Sequence, residues 1–195
     1  MEGWVNIDNS PTLLISKWPL LKEILFRTHL ISQQAYETKW PKNIVQRNVT
    51  KGLNYSDNSV DKIYSSHFLE HLDRKHGEFV IRECFRVLGK RGIFRLVVPD
   101  LVFHARRYLE KVVKNDLVGR EPHDEFLWNL YGAHLERRRS GASHRYMYDW
   151  PTLYCLLKEI GFDQVIHQSY RTSLDSEMEK LDNRPEDSLH IDAVK

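Results

Sequence analysis

The stretch that most constrains this chain is IFRLVVPD, residues 93–100. It is a nearly continuous apolar run, and a strand of that kind is buried on both faces. Strands buried in this way belong to parallel sheets with helices packed on either side. The residues before it agree. From about Arg74 to Leu88, the side chains of Phe79, Val80, Ile81, Cys84, Phe85, Val87 and Leu88 line one broad apolar helical face. GKRG at 89–92 is expected to stop that helix, since glycine tolerates the left-handed cap conformation.

Other segments extend the alternation. GWVNID, residues 3–8, reads as a short strand ended by the turn cluster Asn9-Ser10-Pro11. Helical spacing runs from Thr12 to Leu30, with a break or kink at Pro19. Residues 31–42 read as a loop, NIVQRNV (43–49) as a second strand, 50–59 as a polar turn and VDKIYSS (60–66) as a third strand. Helices are expected over Leu101–Asn115 and His123–Leu135, then a loop over 137–149. WPTLYCLLKEI, residues 150–160, has Pro151 in its first turn and Gly161 just past its end, the expected asymmetry of a helix. DQVIHQSY and SLHIDAVK close the chain as two strands around an acidic, proline-containing loop. Alternating strands and helices predict an α/β, doubly wound, mostly parallel sheet with an antiparallel edge pair at the C-terminus.

Composition narrows the function classes. At 195 residues the chain is expected to be one domain with a sizeable core. With 29% charged and 41% apolar residues it is an ordinary globular sequence. Its net charge of +2 argues against nucleic acid as a partner. Arg137-Arg138-Arg139 is a short basic run and reads as a solvated loop. Cys84 and Cys155 allow neither a disulfide framework nor a paired-cysteine metal knuckle. No apolar run is long enough for a bilayer span, and MEGWVNID lacks the regions of a signal peptide, so a cytoplasmic setting without membrane contact is expected.

Within HFLEHL, residues 67–72, His67, Glu70 and His71 spell a pattern that zinc enzymes place on a helix. Zinc also needs a third protein ligand and a helix through the whole motif. Here His67 directly follows the strand end Ser65-Ser66, so only the tail of the motif reads as helical. A pocket floor at the end of a strand is the preferred reading, with no metal, and a zinc hydrolase is the rival.

Four stretches in one order, GWVNIDNS, KGLNYSDNSVDKIYSSHFLEHL, ECFRVLGKRGIFRLVVPDL and HRYMYDWPTLYCLLKEIGF, resemble class I S-adenosylmethionine-dependent methyltransferases. More narrowly they are similar to a set of small predicted methyltransferases of that fold. The closing LDNRPEDSLHIDAVK is similar to the same set, so the likeness covers nearly the whole chain. It implies a Rossmann-like sheet with ligands in the crevice at the carboxyl ends of the strands. Asp8, with Asn9, is then the ribose ligand; the rival reading of these two residues is a simple Asx turn. Asn48 and Leu53 border the adenine. The set often has aspartate at the first of these positions and Leu-Pro-Phe where this chain has Leu53-Asn54-Tyr55. Ser66 and His67 face the methionine part of the cofactor, while Glu70 and His71 orient the next helix or border the substrate.

The resemblance also implies methyl transfer to an O or N acceptor, and the near-neutral charge and lack of aromatic-basic interleaving favour a small molecule or saccharide over nucleic acid. The loop bearing His144, Tyr146, Tyr148 and Asp149 lies over the cleft, beside Pro99-Asp100 at the end of the strongest strand. Candidates for a catalytic base are His67, His144, Tyr148 and Asp149. One element of the pattern is not found: a first strand with a glycine-rich loop, central in the family's sheet. The expectation is therefore a domain incomplete at its N-terminus, with exposed sheet edges that promote self-association. A degenerate, non-catalytic member of the fold is the main alternative.

Overall fold

The computed structural model describes residues 3–40, 43–114, 122–131, 143–184 and 187–195. By its contacts the chain divides into two compact units, Met1–Leu53 and Asn54–Lys195. No composition shift in the sequence marks this division.

The first unit is built on two short parallel strands, β1 (Asn6–Asp8) and β2 (Ile44–Gln46), in register Asn6 to Ile44 and Asp8 to Gln46. Between them run α1 (Pro11–Ser16), α2 (Pro19–Arg27) and α3 (Gln33–Glu37). Proline opens both α1 and α2, where its missing N–H costs nothing. The single helical pattern expected from Thr12 to Leu30 is therefore two helices, parted at Pro19. The expected loop at 31–42 contains α3, whose Tyr36 ring stacks on Phe26 at 4.2 Å and donates its hydroxyl to Glu23. That tertiary contact holds a helix too short to form alone. A 3-10 turn, Val49–Lys51, follows β2.

The second unit carries a four-stranded sheet in the order β3-β4-β6-β5. Strand β3 (Val60–Ser66) pairs parallel with β4 (Leu88–Pro99). Strand β6 (Ser188–Val194) pairs antiparallel with β4 on one side and with β5 (Gln164–Gln168) on the other. The expected antiparallel pair is present, and its later member is inserted beside the strongest strand. The short helix α8 (Ser176–Glu179) lies in the loop between β5 and β6. In β4, Phe94, Leu96, Val97 and Val98 are fully buried, as the apolar run requires.

Helix α4 (Arg74–Val87) packs on β4 and buries Val80, Ile81, Cys84 and Val87. Its N-cap is Asp73, which accepts the His76 N–H at 3.0 Å. Its end differs from expectation. No glycine takes a left-handed cap; the helix passes at Leu88 straight into β4, and Arg91 adopts the positive φ instead, at 65°. A side chain at Gly92 would lie 2.9 Å from the Gly89 carbonyl oxygen and 3.1 Å from that of Asp61. Close backbone approach, not capping, is what glycine supplies there.

Helix α5 (Leu101–Lys114) packs against α6 (Pro122–Tyr131). Helix α7 (Trp150–Ile160) ends as read, with Gly161 left-handed at φ 119°. Arg137, Arg138 and Arg139 lie outside the described residues. Among the described residues no helix is long and apolar enough to cross a membrane.

Candidate functional site

In the second unit, the carboxyl ends of β3 and β4 gather a group of titratable side chains. Strand β3 ends at Ser66, and the next residue turns sharply: His67 has φ 48° while its N–H still donates to the Val97 carbonyl at 2.9 Å. Positive φ is uncommon for a non-glycine residue and marks an over-determined position. His67 Nε2 lies 2.9 Å from the Ser188 hydroxyl, whose oxygen is 3.1 Å from Asp187. Burial, reinforced by the positive charge of Arg184, pulls the His67 imidazole down to about 4, so it is neutral at physiological pH.

Leu69–His71 forms a single 3-10 turn that places Glu70 inside the protein, fully buried. Burial raises the Glu70 carboxyl to about 7. Its Oε1 is 3.4 Å from His67 Nδ1 and 3.8 Å from His71 Nε2, yet neither carboxylate oxygen has a hydrogen-bond partner among the described residues. The main chain ties this turn to a distant loop, because the Glu70 carbonyl accepts from the N–H groups of Arg145 and Tyr146 at 2.6 and 3.2 Å. Beside it, the rings of His71 and His144 lie 5.2 Å apart. Burial and the neighbouring His71 hold His144 below the usual histidine range.

The other candidates do structural work. Asp149 caps α7 by accepting the Thr152 N–H at 2.8 Å. Asp100 does the same for α5 through Val102 at 2.9 Å. Tyr148 bridges Asp100 and its carbonyl accepts from Leu101, while its ring is buried against Gly77 of α4. The Tyr148 hydroxyl has no partner among the described residues, and burial raises its pKa, so it keeps its proton. Tyr146 stacks edge-on against Tyr148 at 4.9 Å.

In the first unit, Asp8 ends β1 and its Oδ1 accepts the Ser10 N–H at 2.5 Å. The Asx turn therefore forms, and it occupies one carboxylate oxygen. Asn9 is exposed beside it. Asn48 follows β2 and caps the 3-10 turn, its Oδ1 accepting from the Thr50 N–H at 3.0 Å. The carbonyl of buried Leu53 accepts from Arg47 at 2.6 Å. Asp8 and Asn48 are near neighbours, since Arg47 N–H donates to the Asp8 carbonyl at 3.0 Å.

The motif HFLEHL does not form a zinc helix: His67 is itself left-handed and His71 ends a 3-10 turn. Sequence reasoning passed over Ser188, His104 and the carbonyls of Asn129 and Ser143. His104 is buried with Nδ1 unpartnered among the described residues, and burial lowers its pKa. Ser188 had a signal. It begins the last strand, and an antiparallel partner of β4 must start where β4 ends.

The family described as methyltransferase domain matches residues 25–96. No curated protein sequence matches the chain. A solved S-adenosylmethionine-dependent methyltransferase from Mesorhizobium loti is 18% identical, covering 98% of this chain and 80% of its own, with a TM-score of 0.52. Another from Archaeoglobus fulgidus is 16% identical over 91% of this chain and 82% of its own, with a TM-score of 0.51.

Proposed function

Because this chain has the class I S-adenosylmethionine-dependent methyltransferase fold, we propose that it transfers the methyl group of S-adenosylmethionine to an oxygen or nitrogen acceptor on a small molecule or saccharide. The observation that carries this reading is the parallel β3–β4 pair, whose carboxyl ends bear the half-buried His67 and His71 and the fully buried Glu70. Ligand chemistry in this fold collects at such strand ends. When bound, the cofactor supplies a methyl group on a sulfonium that is already a good leaving group.

The donor set of the first unit suits a nucleoside. Asp8 and exposed Asn9 end a strand, and Asp8 Oδ2 is not used by the Asx turn, which suits ribose hydroxyls. Asn48 has committed its amide oxygen to the cap and offers its NH2 to an adenine acceptor, with buried Leu53 as an apolar neighbour. Ser66 and His67 are assigned to the methionine portion. Of the four candidate bases, the two imidazoles are neutral and able to accept a proton, whereas Tyr148 retains its own and Asp149 is a helix cap. Most of the rate enhancement would come from positioning the acceptor against the methyl carbon. Self-association through exposed sheet edges, those of the Asp8 strand and the Ile63 strand, is part of the same proposal.

The test is thermal stability with S-adenosylmethionine and with S-adenosylhomocysteine. A ligand held only by the native state stabilises it by about 2.7 kcal/mol at one hundred times its Kd. Both should raise Tm, and Asp8→Ala should weaken calorimetric affinity by about tenfold to a hundredfold, as expected for hydrogen bonds to a charged group. A Tm indifferent to both ligands would leave the non-catalytic alternative standing. Unchanged affinity in the variant would remove Asp8 from the site.

A further inference from the structure

We propose that the Glu70 carboxylate and the Nε2 atoms of His71 and His144 bind one divalent first-row transition-metal ion of the zinc class. One ligand atom from each of the three residues lies within 4.8 Å of the others. Tetrahedral zinc ligands, at about 2.0–2.2 Å from the ion, are about 3.3 Å apart. Modest side-chain rotation covers the difference.

The tautomers favour this use. His71 Nδ1 lies 3.2 Å from the Ser143 carbonyl, and His144 Nδ1 lies 3.0 Å from the Asn129 carbonyl. A carbonyl oxygen only accepts, so each Nδ1 carries the proton and each Nε2 presents its lone pair. Histidine ligands characteristically donate their other ring N–H to a carbonyl or carboxylate, which fixes the ring and strengthens the ligand. Both histidines have that second contact already in place.

The carboxylate gives an independent reason. Glu70 is fully buried, and neither oxygen has a hydrogen bond among the described residues. An unsatisfied buried polar group is costly, and a buried charge is normally paired or bound to metal. The two main-chain bonds from Arg145 and Tyr146 to the Glu70 carbonyl hold the His144 loop beside the 3-10 turn. The constellation is thus fixed by backbone as well as by side chains.

Two imidazoles and one carboxylate suit zinc, cobalt, iron or manganese, and disfavour calcium and magnesium, which take oxygen ligands. Three protein ligands leave an open position for water or a substrate oxygen. The ligand set is not the His67–Glu70–His71 pattern of the sequence motif, and the expectation of no metal is set aside here. With His144 committed to the ion, His67 remains as the imidazole able to take a proton.

The experiment uses the full chain, stripped with a chelator and titrated with Zn²⁺ by calorimetry and with Co²⁺ by visible absorption. One ion per chain is expected, with the intense Co²⁺ bands of a low-coordinate site. His144→Ala and Glu70→Gln should each weaken binding at least about tenfold, while His67→Ala should still take up one ion. Circular dichroism checks that each variant is folded, and His71→Asn replaces any that is not. Absence of stoichiometric uptake by the wild-type chain overturns the proposal. So does loss of binding in His67→Ala together with retention in His144→Ala. Metal uptake is read without cofactor, so this result and the Tm shift with S-adenosylmethionine succeed or fail separately.

Discussion

Arg95 is a fully buried cation in the middle of the most apolar strand. It holds Asp182 at 2.5 Å and Asp192 at 3.0 Å, both also fully buried by side chain. The aspartates are further satisfied: Asp192 accepts the Leu174 N–H at 2.6 Å and Gln168 Nε2 at 3.2 Å, and Asp182 accepts the Arg171 N–H at 3.1 Å. Removing the cation would leave two carboxylates buried without their counter-charge. Arg95→Met should therefore destabilise the protein by about 3–5 kcal/mol, read as a lower urea midpoint. Asp182→Asn, which keeps a hydrogen-bonding group, should cost less. A loss below about 1 kcal/mol for Arg95→Met would show that the cluster is dispensable. In the sequence, Arg95 passes as a blemish in an apolar run. A buried arginine demands acidic partners, but nothing local says they lie at 182 and 192. Asp192 could be assigned only once β6 was known to sit beside β4, facing Arg95 in register.

Helices were the most legible elements, because their ends carry chemistry that acts over one turn. Pro151 and Gly161 mark α7 in the sequence and serve its ends in the structure, whereas the caps Asp73 and Asp149 emerge only there. Gly161 is the sharpest case. Its φ of 119° is open to glycine alone, and a Cβ there would also meet the Phe85 ring at 3.1 Å. Gly161→Ala should lower stability by about 1 kcal/mol or more, visible as a lower Tm, with the fold retained. An unchanged Tm would mean that this cap can relax. Elements held by tertiary contact were not legible. Helix α3 depends on Tyr36 meeting Phe26 and Glu23, and α8 begins where Asp175 caps it while pairing with Lys62 of β3 at 2.6 Å. Neither partner is near in sequence.

At the scale of the molecule, the two units differ sharply in how much they bury. In the first, Leu13 and Leu53 are the buried apolar residues among those described, while Trp18, Leu20 and Ile24 are 67%, 83% and 58% exposed. A two-stranded sheet is marginal by itself, and both outer edges of β1–β2 lack a strand partner among the described residues. This is the basis for the proposed self-association. Sedimentation over a tenfold concentration range should show a rising mass, reduced by Val45→Lys, which puts charge on an edge strand. A constant monomer mass would end that idea. The α/β class, the strands at 60–66 and 93–99 with the helix between them, and the antiparallel close were readable from periodicity. The meeting of Glu70, His71 and His144 was not, since it depends on a loop returning from far along the chain.

The junction between α4 and β4 has no connector. Leu88 caps the helix through its N–H to the Cys84 carbonyl and is also the partner of Val60 in the parallel ladder. One residue thus belongs to a helix and to a strand, and the ladder shifts register directly after it, between Val60 and Lys62, before the regular pairing from Ile93 begins. The irregular stretch 89–92, with Arg91 at positive φ, can take up a change of length that the regular ladder from Ile93 onward cannot. A single residue inserted after Ile93, past that shift, would turn the rest of the strand over, sending Phe94 and Leu96 to the face where Arg95 now meets its aspartates. Slack and ruler thus sit side by side: the stretch after Leu88 is forgiving, and the ladder from Ile93 sets which face of the sheet each later side chain of β4 will see.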